Sequence, residues 1–351
     1  MPKQKVIISA NVCEDLKNIL TQSAYTNIFI LTDDVTRKLC FPVVSEQFPD
    51  AKIIEIKQGD SNKNIDTLVR IWQFLVENGA TRHSLFVNLG GGMITDLGGF
   101  AASTFKRGMA YINIPTTLLG AIDAAVGGKT GINFLGLKNE IGVINPADYV
   151  LVDTQFFKTL DKEQILNGCA EMIKTALIAD KNLWNEMLEN PPVGGQEGFN
   201  QNFIERCIYI KEDIVRRDPT EQNIRKALNF GHTIGHALES FSYEAGKPLL
   251  HGYAVAYGMI CELYLSHKKT HFPKETLQQI CKFIVNNYGY LNIDCKNYPR
   301  LYELMTHDKK NTSKEVNFAL LGDVGDIRIN QTANEKEIFE ALDFYRDCVG
   351  I

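Results

Sequence analysis

Residues 84–92, SLFVNLGGG, indicate the fold class of this 351-residue chain. A short apolar run that ends in glycines is typical of a buried strand that turns directly into a helix. Similar β-rich runs occur near Val6 and at 27–34, 52–59 and 109–117, and segments with helical periodicity occur at 36–48 and 64–78. This alternation predicts an α/β fold with a parallel sheet covered by helices.

Strand signals become sparse after about residue 159, and helical patterns dominate the rest of the chain. Asp161 and Gln164 resemble a capping pair that opens a helix, ILNGCAEMIKTALIAD. Residues 316–322, VNFALLG, are the one late segment that we expect to form a strand. We therefore predict two domains, a parallel-sheet domain at 1–158 and a mainly α-helical domain at 159–351.

Ligands of such sheets bind beyond the carboxyl ends of the strands. Asp33 follows the second predicted strand and is a candidate to hold a ribose hydroxyl. Gly90, Gly91 and Gly92 follow the fourth strand, where missing Cβ atoms let backbone N–H groups and a helix N-terminus meet a pyrophosphate. The run is not G-x-G-x-x-G, and a tight strand-to-helix turn without a ligand would need the same glycines.

The segment 115–142, PTTLLGAIDAAVGGKTGINFLGLKNEIG, is rich in Gly, Thr and Lys. We predict a loop that binds a phosphate, because Lys ammonium groups and free backbone N–H groups suit an anion. A P-loop is excluded because its first glycine would have to stand at Asp123.

Residues 225–252 carry the densest group of candidate ligands. A single polar stripe of one helix is predicted by the i, i+4, i+7 and i+11 spacing of Arg225, Asn229, His232 and His236. His251 returns after a loop, so three imidazoles could bind a transition metal. A solvated helix face that happens to carry histidines is the alternative. The pattern is not H-E-x-x-H, which disfavours a metalloprotease.

Glu171 and Lys174 stand three residues apart in a predicted helix and share one face. An ordinary surface ion pair would have the same spacing.

Composition narrows the classes of partner. The net charge of −5 argues against a nucleic-acid partner, since no positive field would recruit phosphate backbones. No apolar run approaches the roughly 20 residues that span a bilayer, so no membrane partner is expected. The start, MPKQKVIISANV, lacks the apolar core of a signal peptide. The eight cysteines are scattered without a C-x-x-C pair, which is typical of reduced thiols in a cytoplasmic protein.

Several motifs together resemble the 3-dehydroquinate synthase family of sugar phosphate cyclases, over about residues 30–325. They are LGGGMITDLGGFAASTFKRG, INIPTTLLGAIDAAVGGKTGIN, LKNEIG, GCAEMIKTALI, KEDIVRRDPTEQNIRKALNFGHTIGHALE and HGYAVAYGM. The resemblance implies an N-terminal nucleotide-binding domain, a helical domain that binds metal and substrate, and an active site in the cleft between them.

The resemblance also implies roles for individual residues. The metal ligands are Glu171, His232 and His251. Residues that match NAD-contacting positions are Asp33, Asp60, Lys63, Gly91, Gly92, Met93, Asp96, Thr116, Thr117, Leu119, Asp123, Lys138, Phe156 and Thr159. The implied catalytic residues are Lys174, Lys211, Arg225, Asn229 and His236. The implied substrate-binding residues are Arg107, Asp123, Lys129, Asn139, Lys309 and Lys310.

The implied activity belongs to the shikimate pathway of aromatic amino-acid biosynthesis. It converts 3-deoxy-D-arabino-heptulosonate 7-phosphate to 3-dehydroquinate and phosphate by oxidation, β-elimination, reduction, ring opening and aldol closure. NAD is regenerated in each turnover, and the metal is Zn²⁺, with Co²⁺ as a substitute. Arg225 with Lys129 would bind the substrate carboxylate, and His236 would move a proton. The resemblance implies a cytoplasmic homodimer.

The sequence departs from the family pattern at Tyr253, where Glu is common, and at Ala124 and Ala125, where hydroxyl residues are common. Three alternatives remain. A sister cyclase would act on another sugar phosphate, and an NAD-dependent metal alcohol dehydrogenase would accumulate NADH. A non-enzymatic zinc- or nucleotide-binding module would not need Lys174 or Lys211.

Overall fold

The computed structural model describes residues 4–135, 137–192, 199–307 and 315–351. The chain divides into two compact units, Met1–Ile165 and Leu166–Ile351. The boundary lies inside the helix Lys162–Ala179, shortly after the predicted division at 158/159. Among the described residues, no helix combines the length and the apolarity that crossing a membrane requires.

A six-stranded parallel sheet forms the centre of the first unit, which confirms the predicted fold class. Its strands are β1 (Lys5–Ile8), β2 (Ile28–Asp33), β3 (Lys52–Ile56), β4 (Leu85–Gly90), β5 (Ala110–Pro115) and β8 (Tyr149–Val152). They lie in the order β1-β8-β5-β4-β2-β3. All six residues of β4 are buried, as expected for a continuous apolar run in the middle of a parallel sheet.

Helices follow most of these strands. They are α1 (Val12–Thr21), α2 (Thr36–Leu39), α3 (Phe41–Val44), α4 (Ile65–Glu77) and α5 (Gly92–Thr104). The prediction of one helix at 36–48 is wrong, because α2 and α3 are separate four-residue helices and a 3₁₀ turn follows them. Pro42 in the first turn of α3 lacks the N–H that a continuous helix would need there.

The predicted loop at 115–142 is wrong over its second half. Two antiparallel strands, β6 (Lys129–Phe134) and β7 (Leu137–Ile144), form a separate hairpin. Gly131 pairs with Gly142, and a Cβ atom on Gly142 would lie 2.1 Å from the Thr130 carbonyl oxygen. The glycines therefore permit close approach of two strands instead of providing loop flexibility.

The second unit is mainly helical, as predicted. Its helices are α6 (Lys162–Ala179), which begins before the boundary, α7 (Lys181–Glu189), α8 (Gln201–Arg217), α9 (His232–Glu244), α10 (His251–Thr270), α11 (Lys274–Tyr288), α12 (Tyr298–His307) and α13 (Glu335–Val349). The predicted cap of α6 is confirmed, since Asp161 Oδ1 accepts from Gln164 N at 2.8 Å. The late strand is β9 (Val316–Asp323), which pairs with β10 (Asp326–Ala333), a strand that the sequence reasoning missed.

Candidate functional site

The polar stripe at 225–236 does not lie on one helix, so that prediction is wrong. Arg225 and Asn229 belong to a 3₁₀ turn, Ile224–Asn229, whereas His232 is the first residue of α9. Gly231 separates the two elements in a left-handed conformation, with φ of 78°. A Cβ atom there would lie 2.6 Å from Met259 Cγ, so tight packing against α10 as well as backbone geometry requires glycine.

Three imidazoles nevertheless come together in the second unit. His232 and His236 lie on α9, and His251 is the first residue of α10. One nitrogen from each ring lies within 4.8 Å of the others, a spacing that could hold a metal ion. The ring centroids are 5.2 to 5.6 Å apart. The alternative of a merely solvated helix face is wrong for His232, which is buried.

The Glu171 carboxylate, on α6, faces the same imidazoles. Its Oε1 lies 3.4 Å from His232 Nε2 and 3.6 Å from His251 Nε2. Its Oε2 forms an ion pair with the Lys174 ammonium, and both side chains are 2% exposed. The interpretation of a surface ion pair is therefore wrong. Oε1, in contrast, makes no hydrogen bond of ordinary geometry within the described part of the chain, so a cationic ligand beside Oε1 would satisfy it.

Carbonyl and carboxylate acceptors orient two of the imidazoles. His232 Nδ1 lies 3.1 Å from the Phe230 carbonyl oxygen, and His251 Nδ1 lies 3.2 Å from Glu239 Oε2. In a neutral imidazole, a donor at Nδ1 leaves Nε2 unprotonated, which is the arrangement found around metal-ligating histidines, and burial favours this neutral form for His232. The sequence did not indicate Phe230 or Glu239 as hydrogen-bond partners of the histidines. The three-residue spacing of His236 and Glu239 could have indicated that Glu239 lies near the histidine cluster.

Burial and charge set the protonation of these groups. Burial, reinforced by Lys174, lowers the pKa of His232 well below its ordinary value. Burial also opposes charge on His251, but the carboxylates of Glu171 and Glu239 outweigh it and raise the pKa of His251 to about 10. For Glu171, burial favours the neutral form, yet Lys174 and the imidazoles hold its pKa well below the ordinary value. A carboxylate beside a neutral imidazole is a suitable donor set for Zn²⁺.

Buried cations occur in the same unit. Lys211 on α8 is 7% exposed and Arg225 is 2% exposed. Arg225 Nη1 donates to the Pro219 carbonyl oxygen at 2.8 Å, and Asn229 Nδ2 donates to Glu221 Oε1 at 2.8 Å. Burial lowers the dielectric around these cations, so an anion that reached them would be attracted more strongly than at the surface.

Asp218 anchors the turn that holds Arg225. Its Oδ2 accepts from the backbone N–H groups of Asn223 at 2.7 Å and Arg225 at 3.0 Å. Burial raises the pKa of Asp218, but these and other backbone donors outweigh it and hold the pKa below 3.8.

In the first unit, the glycines after β4 form the start of α5. Gly91 is the N-cap residue of α5 and no side chain caps the helix. A Cβ atom on Gly91 would lie 2.9 Å from Thr117 Cγ2, and one on Gly92 would lie 3.0 Å from Ala124 Cβ. The turn after β5 therefore packs against the glycine-lined N-terminus of α5, and contact of this helix end with a pyrophosphate stays a prediction. The small residue at 124, a departure from the family pattern, lies in this contact.

Five of the residues predicted to contact nucleotide or substrate form two groups, each held together by polar contacts. The Lys63 ammonium donates to Asp96 Oδ2 and to Asn139 Oδ1, both at 2.5 Å. Lys138 pairs with Asp60 at 3.2 Å. The structure thus brings these residues together although they span nearly 80 positions of sequence.

Asp33 has a local role that the sequence did not indicate. Its carboxylate accepts from Thr36 N at 2.8 Å, Thr36 Oγ1 at 2.6 Å and Val35 N at 3.0 Å. The Asp33 side chain therefore caps the N-terminal end of α2. Contact of this carboxylate with a ribose hydroxyl stays a prediction.

The remaining predicted residues are distributed over several elements. Thr116 is buried after β5, and Thr117 Oγ1 accepts from Gly120 N at 3.0 Å. Leu119 precedes the π-helical turn Gly120–Ala124, which contains Asp123. The others are Met93 on α5, Phe156 and Thr159 in the 3₁₀ turn Thr154–Thr159, and the exposed Arg107 and Lys129. Lys309 and Lys310 lie outside the described residues.

Comparison with solved structures identifies the fold first. A 2-epi-5-epi-valiolone synthase from Streptomyces hygroscopicus subsp. jinggangensis 5008, solved with NAD⁺ and Zn²⁺ bound, matches with a TM-score of 0.86 at 24% identity, over 99% of this chain and 97% of that chain. A 2-deoxy-scyllo-inosose synthase, solved with carbaglucose-6-phosphate, NAD⁺ and Co²⁺, matches with a TM-score of 0.82 at 22% identity, over 97% and 95% of the two chains. The fold is therefore that of the sugar phosphate cyclases.

Sequence comparison narrows this class to one family. Residues 53–167 match the model of the 3-dehydroquinate synthase N-terminal domain, and residues 168–311 match that of the C-terminal domain. A 3-dehydroquinate synthase from Parabacteroides distasonis is 51% identical over 100% of both chains. The chain belongs to the 3-dehydroquinate synthase family, which confirms the resemblance found in the motifs.

Proposed function

We propose that this protein converts 3-deoxy-D-arabino-heptulosonate 7-phosphate to 3-dehydroquinate and phosphate, as an NAD- and metal-dependent lyase. The identity of 51% over the whole length of the Parabacteroides distasonis 3-dehydroquinate synthase carries this proposal. The buried carboxylate and imidazoles of the second unit support it, because they offer the ligands that this chemistry requires.

The proposed metal ligands are Glu171, His232 and His251. The observation that supports them is the buried Glu171 carboxylate, whose Oε1 lacks an ordinary hydrogen bond within the described residues and lies 3.4 and 3.6 Å from two Nε2 atoms. Three protein ligands leave coordination positions for substrate oxygens. When bound, Zn²⁺ or Co²⁺ supplies Lewis acidity at a substrate hydroxyl. His236, the exposed member of the imidazole cluster, is left for proton transfer.

The proposed NAD contacts come from the first unit. The glycine-lined start of α5 would receive the pyrophosphate, and the network of Asp60, Lys63, Asp96 and Lys138 would orient the rest of the nucleotide. Bound NAD supplies a hydride acceptor that is regenerated in the same turnover. Both sets of residues, those for the nucleotide and those for the metal, are needed for the proposed reaction.

The proposed substrate contacts are cationic and amide side chains. Arg225 and Lys129 would bind the carboxylate, since a guanidinium forms paired hydrogen bonds with it. Lys174, Lys211 and Asn229 would hold the phosphate and hydroxyl groups, together with Arg107, Asp123, Asn139, Lys309 and Lys310. The burial of Lys174, Lys211 and Arg225 supports this role, because buried cations attract anions more strongly than exposed ones.

We also propose that the protein works as a homodimer in the cytoplasm. The family resemblance supports the dimer, and the absence of disulfides among the eight cysteines is compatible with a reducing compartment. Light scattering after size-exclusion chromatography would give a mass near 39.5 kDa for a monomer and twice that for a dimer.

The decisive experiment measures phosphate release from the heptulosonate phosphate with NAD⁺ and Zn²⁺, followed by identification of the product. We expect 3-dehydroquinate and phosphate in equal amounts and no net NADH. Accumulation of NADH would indicate a dehydrogenase instead. A sister cyclase would release phosphate faster from a heptulose phosphate that lacks the carboxylate. Replacement of Arg225 by Met should raise KM for the acidic substrate more than for the neutral one.

A further inference from the structure

A carboxylate from α10 caps the start of α9. The N-cap residue of α9 is Gly231, which has no side chain to accept from the first backbone N–H groups. Glu262 provides both acceptors: its Oε2 accepts from Gly231 N at 2.7 Å, and its Oε1 accepts from Ile234 N at 3.1 Å. Glu262 is 0% exposed, so these are hydrogen bonds of a fully desolvated group.

The same peptide group connects Glu262 with His232. The Phe230–Gly231 peptide donates its N–H to Glu262 Oε2, and its carbonyl oxygen accepts from His232 Nδ1 at 3.1 Å. Hydrogen bonds that share one peptide polarise each other, so the anionic acceptor makes the carbonyl oxygen a stronger acceptor. A stronger acceptor favours the imidazole with its proton on Nδ1, and Nε2 then faces Glu171 Oε1 at 3.4 Å.

Close packing of α9 against α10 fixes the distance between Glu262 and the Phe230–Gly231 peptide. A Cβ atom on Gly258 would lie 2.1 Å from the Gly231 carbonyl oxygen and 2.7 Å from Gly235 N. Backbone of α9 and α10 therefore meets at Gly258, one turn before Glu262 on the same helix. α10 begins with His251, which is itself a proposed ligand. The same helix therefore also carries Glu262, which holds the peptide next to His232.

We infer that Glu262 is a positioning residue for the proposed metal site, acting on His232 through the Phe230–Gly231 peptide. The inference rests on the proposed function for the identity of the ligands. It goes beyond that function in naming a residue that would not touch metal, NAD or substrate. A helix cap with only a structural role would stabilise the second unit without changing the tautomer or the metal affinity of His232.

The primary variant is Glu262→Gln, which has the same size but presents an NH₂ group to one of the two backbone donors. We expect its affinity for Zn²⁺, measured by chelator competition in the absence of NAD and substrate, to fall about 10–100-fold. The absorption spectrum of the Co²⁺ form should change as the imidazole geometry relaxes. If Glu262→Gln does not fold, Glu262→Asp keeps the charge with a shorter reach, and a smaller loss is expected.

The matched control is Asn334→Ala, which removes the capping box of α13 between Asn334 and Glu337. It should lower the thermal midpoint of the metal-free protein and leave Zn²⁺ affinity unchanged. In a double-mutant cycle, Glu262→Gln should have no further effect on the residual affinity of His232→Ala. Equal losses in both backgrounds, or a Glu262→Gln variant with wild-type affinity and a lowered midpoint, would overturn the inference.

A second measurement separates this inference from the proposed function. Nitrogen-15 spectra of the metal-free protein should show His232 as a single tautomer protonated on Nδ1, and a mixture of tautomers in Glu262→Gln. If His232→Ala keeps full Zn²⁺ occupancy, the proposed ligand set fails, and the tautomer ratio still decides the role of Glu262. An unchanged ratio would refute that role.

Discussion

Replacement of Gly231 by Ala tests whether the break before α9 is a packing requirement. Gly231 has φ of 78°, and Gly246 has a similar φ of 71°, with no atom of the described residues within 4 Å of the place that a Cβ atom would take. The left-handed conformation costs an Ala residue about 1–2 kcal/mol at either position. The loss of unfolded-state entropy is also the same for both substitutions. The two variants therefore differ only in their contacts.

The contact contribution can be estimated from the neighbours of Gly231. The Cβ atom would lie 2.6 Å from Met259 Cγ, a flexible side chain that can move, but also 3.0 Å from the Val255 carbonyl oxygen. Relief requires the backbones of α9 and α10 to separate, and overpacking of this kind costs about 1–3 kcal/mol. We expect Gly231→Ala to destabilise the protein by about 2–5 kcal/mol and Gly246→Ala by about 1–2 kcal/mol.

Urea denaturation of the metal-free protein would measure the difference. The chain has two tryptophans. Trp184 is buried in the second unit, with its ring edge-on to Phe283 at 5.5 Å, so its fluorescence in a Trp72→Phe background reports that unit. Equal unfolding free energies for the two alanine variants would refute the packing argument and leave only the backbone conformation as the reason for glycine.

Three further predictions concern charge and the proposed ligands. His251→Ala should lose bound Zn²⁺ and activity while keeping its circular dichroism, whereas the exposed His83→Ala should keep all three. Lys174→Met leaves the Glu171 carboxylate buried without its ammonium partner, so the metal-free variant should be about 3–5 kcal/mol less stable than wild type, and Zn²⁺ should reduce that difference. The pKa of Asp218 is lowered from 3.8 in the folded protein, so the ionised carboxylate and its stabilising hydrogen bonds are fully present above pH 3.8. Protonation of the carboxylate removes them as the pH falls through the lowered pKa. Asp218→Asn should therefore reduce the free energy of unfolding more at about pH 6 than at about pH 3.

Contrary results would be equally informative. Full zinc occupancy in His251→Ala would remove that residue from the ligand set. A Lys174→Met variant whose stability deficit is the same with and without Zn²⁺ would argue against a cation beside Glu171. A stability difference for Asp218→Asn that does not shrink in acid would mean that the charge of Asp218 contributes nothing to its cap.

The sequence by itself determined the parallel-sheet class of the first unit and the family. The run at 84–92 predicted a buried strand that ends in a glycine turn, and β4 with Gly91 at the start of α5 has this structure. Such predictions succeed because strand burial and turn geometry depend on residues that are adjacent in the chain. The motifs also indicated the 3-dehydroquinate synthase family, and the family models match 53–167 and 168–311.

Local patterns failed where a distant segment overrides local preference. The spacing from Arg225 to His236 indicated one helix, but packing of Gly231 against Met259 and Val255 ends the 3₁₀ turn and starts α9 at His232. The glycines of 115–142 indicated a phosphate-binding loop, whereas Gly131 and Gly142 permit the close approach of β6 and β7. In both cases the constraint comes from atoms that are far away in sequence.

Only the tertiary structure decided how the candidate metal ligands are held. The sequence indicated Glu171 only as an ion-pair partner and through family resemblance, and folding brings its carboxylate within 3.6 Å of two imidazoles. No periodicity could show that Glu239 accepts from His251 or that Glu262 caps α9. Hydrogen bonds of this kind need a match of distance and direction between separate helices, and that match exists only after the helices have packed.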